Sequence, residues 1–141
     1  MPAVLSPEQA LIYSMITIAA ADRSLSDSEL RRIGTMVREL PPFRDFDEQR
    51  LVGEAQMCGE IMSGDGGLEA ILGLIAEALP PHLRETAYML ACEVAVADHR
   101  IEPEESRFLD LLGRRLGLDP LIRRALERGA QARHQRLRTR D

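Results

Sequence analysis

Two stretches of this 141-residue chain carry the same acids at the same spacing. Ala19-x-Ala21-Asp22-x-x-Leu25-x-x-x-Glu29 recurs 76 residues later as Ala95-x-Ala97-Asp98-x-x-Ile101-x-x-x-Glu105, with Ile33 and Leu40 matching Leu109 and Leu116 behind it. In each copy an Asp ends one apolar helical pattern and a Glu follows in the first turn of the next. If the copies meet, Asp22, Glu29, Asp98 and Glu105 supply the several oxygen ligands that hard cations such as Ca²⁺, Mg²⁺ or Mn²⁺ require. The competing reading needs no ion. Glu29 is placed to close a capping box with Ser26, Glu105 holds the same favourable position against a helix dipole, and both aspartates can accept loop N–H bonds. The spacing also lacks the Asp-x-Asp-x-Asp-Gly pattern of an EF-hand, so a high-affinity calcium switch is not implied.

Other residues with chemical potential are sparser. Glu93 interrupts an apolar segment and, if buried, needs a partner, for which an arginine is the expected choice. His82, Glu85 and Glu93 fall near one helical stripe, but Met89 intervenes and no nucleophile accompanies them. His99, directly after Asp98, adds a nitrogen ligand if the acidic cluster takes Zn²⁺ or Mn²⁺. His134 lies near the C-terminus and is expected to be solvated. Cys58 and Cys92 sit within apolar helical patterns with no CxxC, and read as core thiols. The loop Ser63-Gly64-Asp65-Gly66-Gly67 has no following Lys-Ser/Thr and reads as a flexible linker, not a phosphate cradle. No Ser/His/Asp or Cys/His arrangement can be assembled, which argues against an enzyme.

These residues must be positioned by helices, whose starts are well marked. Ser6-Pro7-Glu8-Gln9 opens the first, with Ile12, Met15, Ile16 and Ala19 at helical spacing. Ser26-Asp27-Ser28-Glu29 opens a second carrying Leu30, Ile33, Val37 and Leu40, stopped by Pro41-Pro42. A third is expected from Asp45 or Asp47 through Leu51, Val52, Ala55, Cys58 and Met62. The fourth shows a stripe of Leu68, Ile71, Leu72, Ile75 and Leu79 before Pro80-Pro81. Residues 81–98 are apolar almost all round and are expected to form the most buried helix. Glu102-Pro103-Glu104-Glu105 opens a sixth with Phe108, Leu109, Leu112 and Leu116 inward, and Asp119-Pro120 caps a seventh carrying Leu121, Ile122, Ala125 and Leu126. No segment alternates like a strand. The expected architecture is all-α: one domain over 1–141, a compact bundle of about six or seven helices. Its helix-turn-helix units at about 6–40 and 81–118 would be related by a pseudo-twofold axis, and the end past Gly129 would fray.

Composition agrees and excludes several function classes. At 45% hydrophobic and 29% charged residues the chain buries a real core, and with 4% aromatics and no Trp a β-sandwich is disfavoured. All eighteen basic residues are Arg. Residues 1–120 carry a net charge of −10 and residues 121–141 a net +5. That acidic body opposes duplex nucleic acid, while the basic tail, from Arg123 to Arg140, suits an acidic protein partner. The apolar runs are too short to span a bilayer and the cysteines fit a reducing compartment, so no membrane insertion and a cytoplasmic location are expected.

The doubled Ala-Asp-x-x-[Leu/Ile]-x-x-x-Glu pattern resembles that of the TerB-like tellurite-resistance proteins, over roughly residues 8–118. The Gly that follows Asp in that family's pattern is Arg23 in the first copy and His99 in the second, a substitution that a turn requiring positive φ tolerates poorly. The resemblance implies an all-helical, non-enzymatic accessory or sensor module of tellurite and chemical-stress systems. It also implies a divalent cation (Ca, Mg, Mn or Zn) held by the paired acids Asp22, Glu29, Asp98 and Glu105, and action through a protein partner. The alternative is a purely structural interaction domain with no metal.

Overall fold

The computed structural model describes residues 4–21, 25–97 and 101–137. Among them the chain forms seven α-helices and no strand: α1 (Pro7–Ala19), α2 (Asp27–Glu39), α3 (Leu51–Ser63), α4 (Gly67–Ala78), α5 (Pro81–Val96), α6 (Pro103–Arg115) and α7 (Pro120–Arg133). Single 3-10 turns at Pro41–Phe43 and Glu48–Arg50 link α2 to α3. Asp47 caps the second of these, accepting from Gln49 N at 2.9 Å, so the acid expected near the start of the third helix instead sets the turn that feeds it.

α1 and α5 pack along each other at the centre, with α3 and α4 against α1, α7 against α5, and α6 against α5 and α4. The expectation that the helix before Asp98 is the most buried is corrected. Every residue from Ala10 to Ala19 in α1 is buried, whereas α5 is continuously buried only from Leu90 to Val96 beyond Ala87 and Tyr88. Polar residues are admitted to α1 because they find partners locally: Ser14 Oγ donates to the Ala10 carbonyl at 2.9 Å and Thr17 Oγ1 lies 3.5 Å from Cys58 Sγ. Leu11, Ile12, Tyr13, Ile33, Ile71, Tyr88 and Leu112 fill the space between.

The helix starts follow their caps. Ser6 and Gln9 exchange bonds across the first turn of α1, at 3.1 and 2.8 Å. Ser26 and Glu29 do the same for α2. α2 and α6 are each thirteen residues long and begin and end at positions 76 apart.

Three local expectations are corrected. Val52 faces solvent, because Leu51, Glu54 and Cys58 turn inward on α3. The glycine stretch after α3 is a fitted turn and not a loose linker. Gly66 caps α4 at φ +62°, and a Cβ on Gly67 would lie 2.1 Å from the Met62 carbonyl oxygen. Finally, α7 is rotated from the expected face. Leu121 and Ile122 point outward, while Arg123, Leu126, Glu127 and Ala130 turn toward the bundle, and the helix continues past Gly129 to Arg133. The reason is polar: Tyr88 on α5 takes the Arg123 guanidinium over its ring at 5.5 Å and its hydroxyl donates to Glu127, contacts that outweigh the two apolar residues of the first turn.

Candidate functional site

The acids of the doubled pattern divide between described and undescribed backbone. Asp22 and Asp98 lie outside the described residues, as do Arg23 and His99. Glu29 stands in the first turn of α2, half-buried, where its Oε1 accepts from Ser26 N and from Ser26 Oγ, both at 3.0 Å. Glu105 stands at the matching place in α6, is buried, and its Oε1 accepts from Glu102 N at 2.9 Å. The two helix starts therefore use the same device, a third-position glutamate bonding back to the backbone N–H of the capping residue, with Glu102 standing where Ser26 stands. These bonds fix both carboxylates in the first turns of α2 and α6, seven positions after Asp22 and Asp98 in the sequence. Oxygen donors fixed in this way suit hard divalent cations better than thiophilic ones. Among the described residues no three His, Cys, Asp or Glu side chains come together as a metal centre.

The expected arginine partner of Glu93 is present: Arg133 Nη2 lies 3.2 Å from Glu93 Oε1. His134 Nε2 lies 3.3 Å from the same oxygen, so this histidine is partly enclosed against α5 and not solvated as expected. His82 and Glu85 are exposed at the start of α5, away from any shared site with Glu93. Cys58 and Cys92 are free and buried. Burial pushes the Cys58 thiol up to about 11, and burial aided by Glu127 pushes Cys92 up to about 12. Both are neutral at physiological pH and are poor nucleophiles.

Two polar clusters escaped the sequence. In one, the buried Glu54 carboxylate accepts from Gln9 Nε2 at 3.0 and 3.2 Å and from Tyr13 Oη at 3.4 Å, and pairs with Arg50 at 3.0 Å. Burial, with Glu54 beside it, raises the Tyr13 hydroxyl pKa and keeps it a donor. In the other, Asp110 pairs with Arg123 at 3.1 Å, and Tyr88 joins Arg123 to Glu127. This second cluster lines a crevice of about 350 Å³ between α5, α6 and α7. An (i, i+4) Arg50–Glu54 pair on an otherwise apolar stripe was the one signal available for the first. Nothing local marks the second.

An all-helical bundle in which the matching starts of α2 and α6 are each closed by a glutamate is the class this geometry defines. The family model described as Tellurite resistance protein TerB matches residues 8–128. The chain belongs to the TerB family. Neither the curated proteins nor the solved structures include a significant match to it.

Proposed function

We propose that this chain is a non-enzymatic binding module of a tellurite or chemical-stress resistance system, in which Asp22, Glu29, Asp98 and Glu105 hold a divalent cation and present the liganded domain to a protein partner. The observation that carries this reading is the pair of helix starts 76 residues apart, each holding a glutamate, seven positions after its aspartate, against the backbone N–H of the capping residue. A pseudo-twofold relation between the units 6–40 and 81–118 would bring the two loops together. A non-enzymatic role is supported by the free thiols being buried, with their pKa values raised by that burial. Among the described residues no helix is long and apolar enough to cross a membrane, and free thiols fit a cytoplasmic setting. The reading includes no nucleic-acid partner.

A second reading, an interaction domain without metal, is favoured by one fact: capping bonds already give Glu29 and Glu105 a structural task. Thermal denaturation with added Ca²⁺, Mg²⁺, Mn²⁺ or Zn²⁺ separates the two. An ion at a hundredfold excess over its Kd stabilises the fold by about 2.7 kcal/mol. The expected result is a rise in Tm that the Asp22→Asn/Asp98→Asn variant loses while retaining its helical content, since Asn keeps the shape and capping ability of Asp. Identical melting curves with all four ions would discard the metal and leave the interaction domain.

A further inference from the structure

The exposed large apolar side chains among the described residues include two groups on different helices. Val4, 81% exposed, and Met57, 54% exposed, border an apolar groove of about 540 Å³ walled by α1, α3 and α4. Leu121, 77% exposed, begins the outer face of α7, where Ala125 and Ala132 follow at helical spacing. On α4 the groove is lined by Ala70, Gly73 and Leu74 together with Glu69 and Glu77. Glu77 has no ion-pair partner among the described residues, and Glu69, 70% exposed, meets Arg115 at 3.0 Å. Arg128 stands within the α7 stripe between Ala125 and Ala132, and Arg124 borders it on one side; both lack ion-pair partners among the described residues.

We propose that the outer face of α7 docks into the α1–α3–α4 groove of a second copy of this chain. Three observations select that occupant. The charges are complementary: Glu77, free of an ion pair among the described residues, lines the groove, and Arg124 and Arg128 stand on the outer side of α7. The lengths agree: α4 has 12 residues and α7 has 14, or about 18 and 21 Å of helix. Small side chains on both faces, Ala70 on one and Ala125 and Ala132 on the other, let two helices approach closely. α7 packs on α5, whereas α3 and α4 pack on α1, so helix and groove lie on different parts of the molecule, and the proposed contact is a heterologous one that adds copies head to tail.

Sedimentation velocity across a concentration series tests this with two single variants at exposed positions, Ala125→Glu on the helix and Ala70→Arg in the groove. The wild-type mass should rise with concentration and fall back with added salt. Each variant alone should associate at least tenfold more weakly. Their equimolar mixture should form one heterodimer and go no further, since it holds one intact helix face and one intact groove. The charge exchange Arg124→Glu mixed with Glu77→Arg gives a second reading should either alanine variant lose its circular dichroism. A wild-type chain that stays monomeric to its solubility limit overturns the proposal. So does association that survives either variant, or an α7 face that binds anionic phosphatidylserine vesicles while the chain remains a monomer.

Discussion

Removing the Glu54 side chain should loosen α1 from α3 by an amount the structure lets one work out. Three donors, Gln9, Tyr13 and Arg50, converge on this carboxylate, but they are unequal. Arg50 is 56% exposed, so its pairing with Glu54 is screened and worth at most about 1 kcal/mol. Gln9 and Tyr13 donate from the bundle side, and Tyr13 is 1% exposed, so its hydroxyl would lose its partner in a site where water is excluded. Hydrogen bonds to a charged acceptor are worth about 1.5–3 kcal/mol, and a buried donor left without an acceptor costs about 1–3 kcal/mol. The Tyr13 contact is long at 3.4 Å and belongs at the low end. Glu54→Ala is therefore expected to destabilise by about 3 kcal/mol, which lowers Tm by roughly 10 °C in a chain of this size. Glu54→Gln, which keeps the volume and one acceptor, should lose about 1 kcal/mol. Urea denaturation followed by far-UV circular dichroism measures both, and a double-mutant cycle with Tyr13→Phe should show a coupling of about 1 kcal/mol. A Glu54→Ala variant within about 0.5 kcal/mol of wild type, or strict additivity with Tyr13→Phe, would refute the assignment of Glu54 as the polar tie between the two helices.

Two further outcomes follow from local geometry and burial. Gly67→Ala places a methyl 2.1 Å from backbone oxygen and should cost about 3 kcal/mol, whereas Gly66→Ala, at φ +62° in open space, should cost about 1 kcal/mol; the reverse order in urea midpoints would mean the turn opens freely. The raised thiol pKa values make stability depend on alkaline pH. An unfolded thiol titrates near 9.0, so the contribution of the neutral folded thiols is intact below about pH 9 and is lost as pH climbs through about 11 for Cys58 and about 12 for Cys92. Wild type should lose stability more steeply above about pH 9 than a Cys58→Ala/Cys92→Ala variant, and parallel slopes would contradict this.

What could be read in advance was whatever short stretches of chain decide by themselves. Ser6-Pro7 with Gln9, Ser26 with Glu29, and Asp119-Pro120 each satisfy N–H groups within one turn, so their residue types announce the helix starts. Burial was less legible. α1 looks like one stripe on paper and is enclosed on all sides, because Ser14 and Thr17 satisfy their hydroxyls against Ala10 and Cys58. The rotation of α7 was hidden for the opposite reason. Its inward face is partly charged, and Arg123 and Glu127 are acceptable there because Tyr88, more than thirty positions earlier, lies opposite them. The Glu54 cluster likewise joins residues 45 positions apart. The candidate metal ligands divide along the same line, since the glutamates are set by their own caps while Asp22 and Asp98 lie outside the described residues.

The rotation of α7 also changes what the basic end of the chain can do. Had Leu121, Ile122 and Ala125 packed inward, as their apolar character suggests, the outer surface would be a solvated row of arginines with a general attraction for anything acidic. Instead Arg123 is held at 3.1 Å by Asp110 and under the Tyr88 ring, and Arg133 is drawn to Glu93, so two of the tail's cations are neutralised within the molecule. Of the remaining helical arginines, Arg124 borders the strip formed by Leu121, Ala125 and Ala132, and Arg128 stands within it. A surface of that kind prefers a partner offering both negative charge and apolar area, because burying the strip against charge alone gains nothing from the hydrophobic effect. The α1–α3–α4 groove meets both requirements, and the phosphate backbone of a duplex meets only the first.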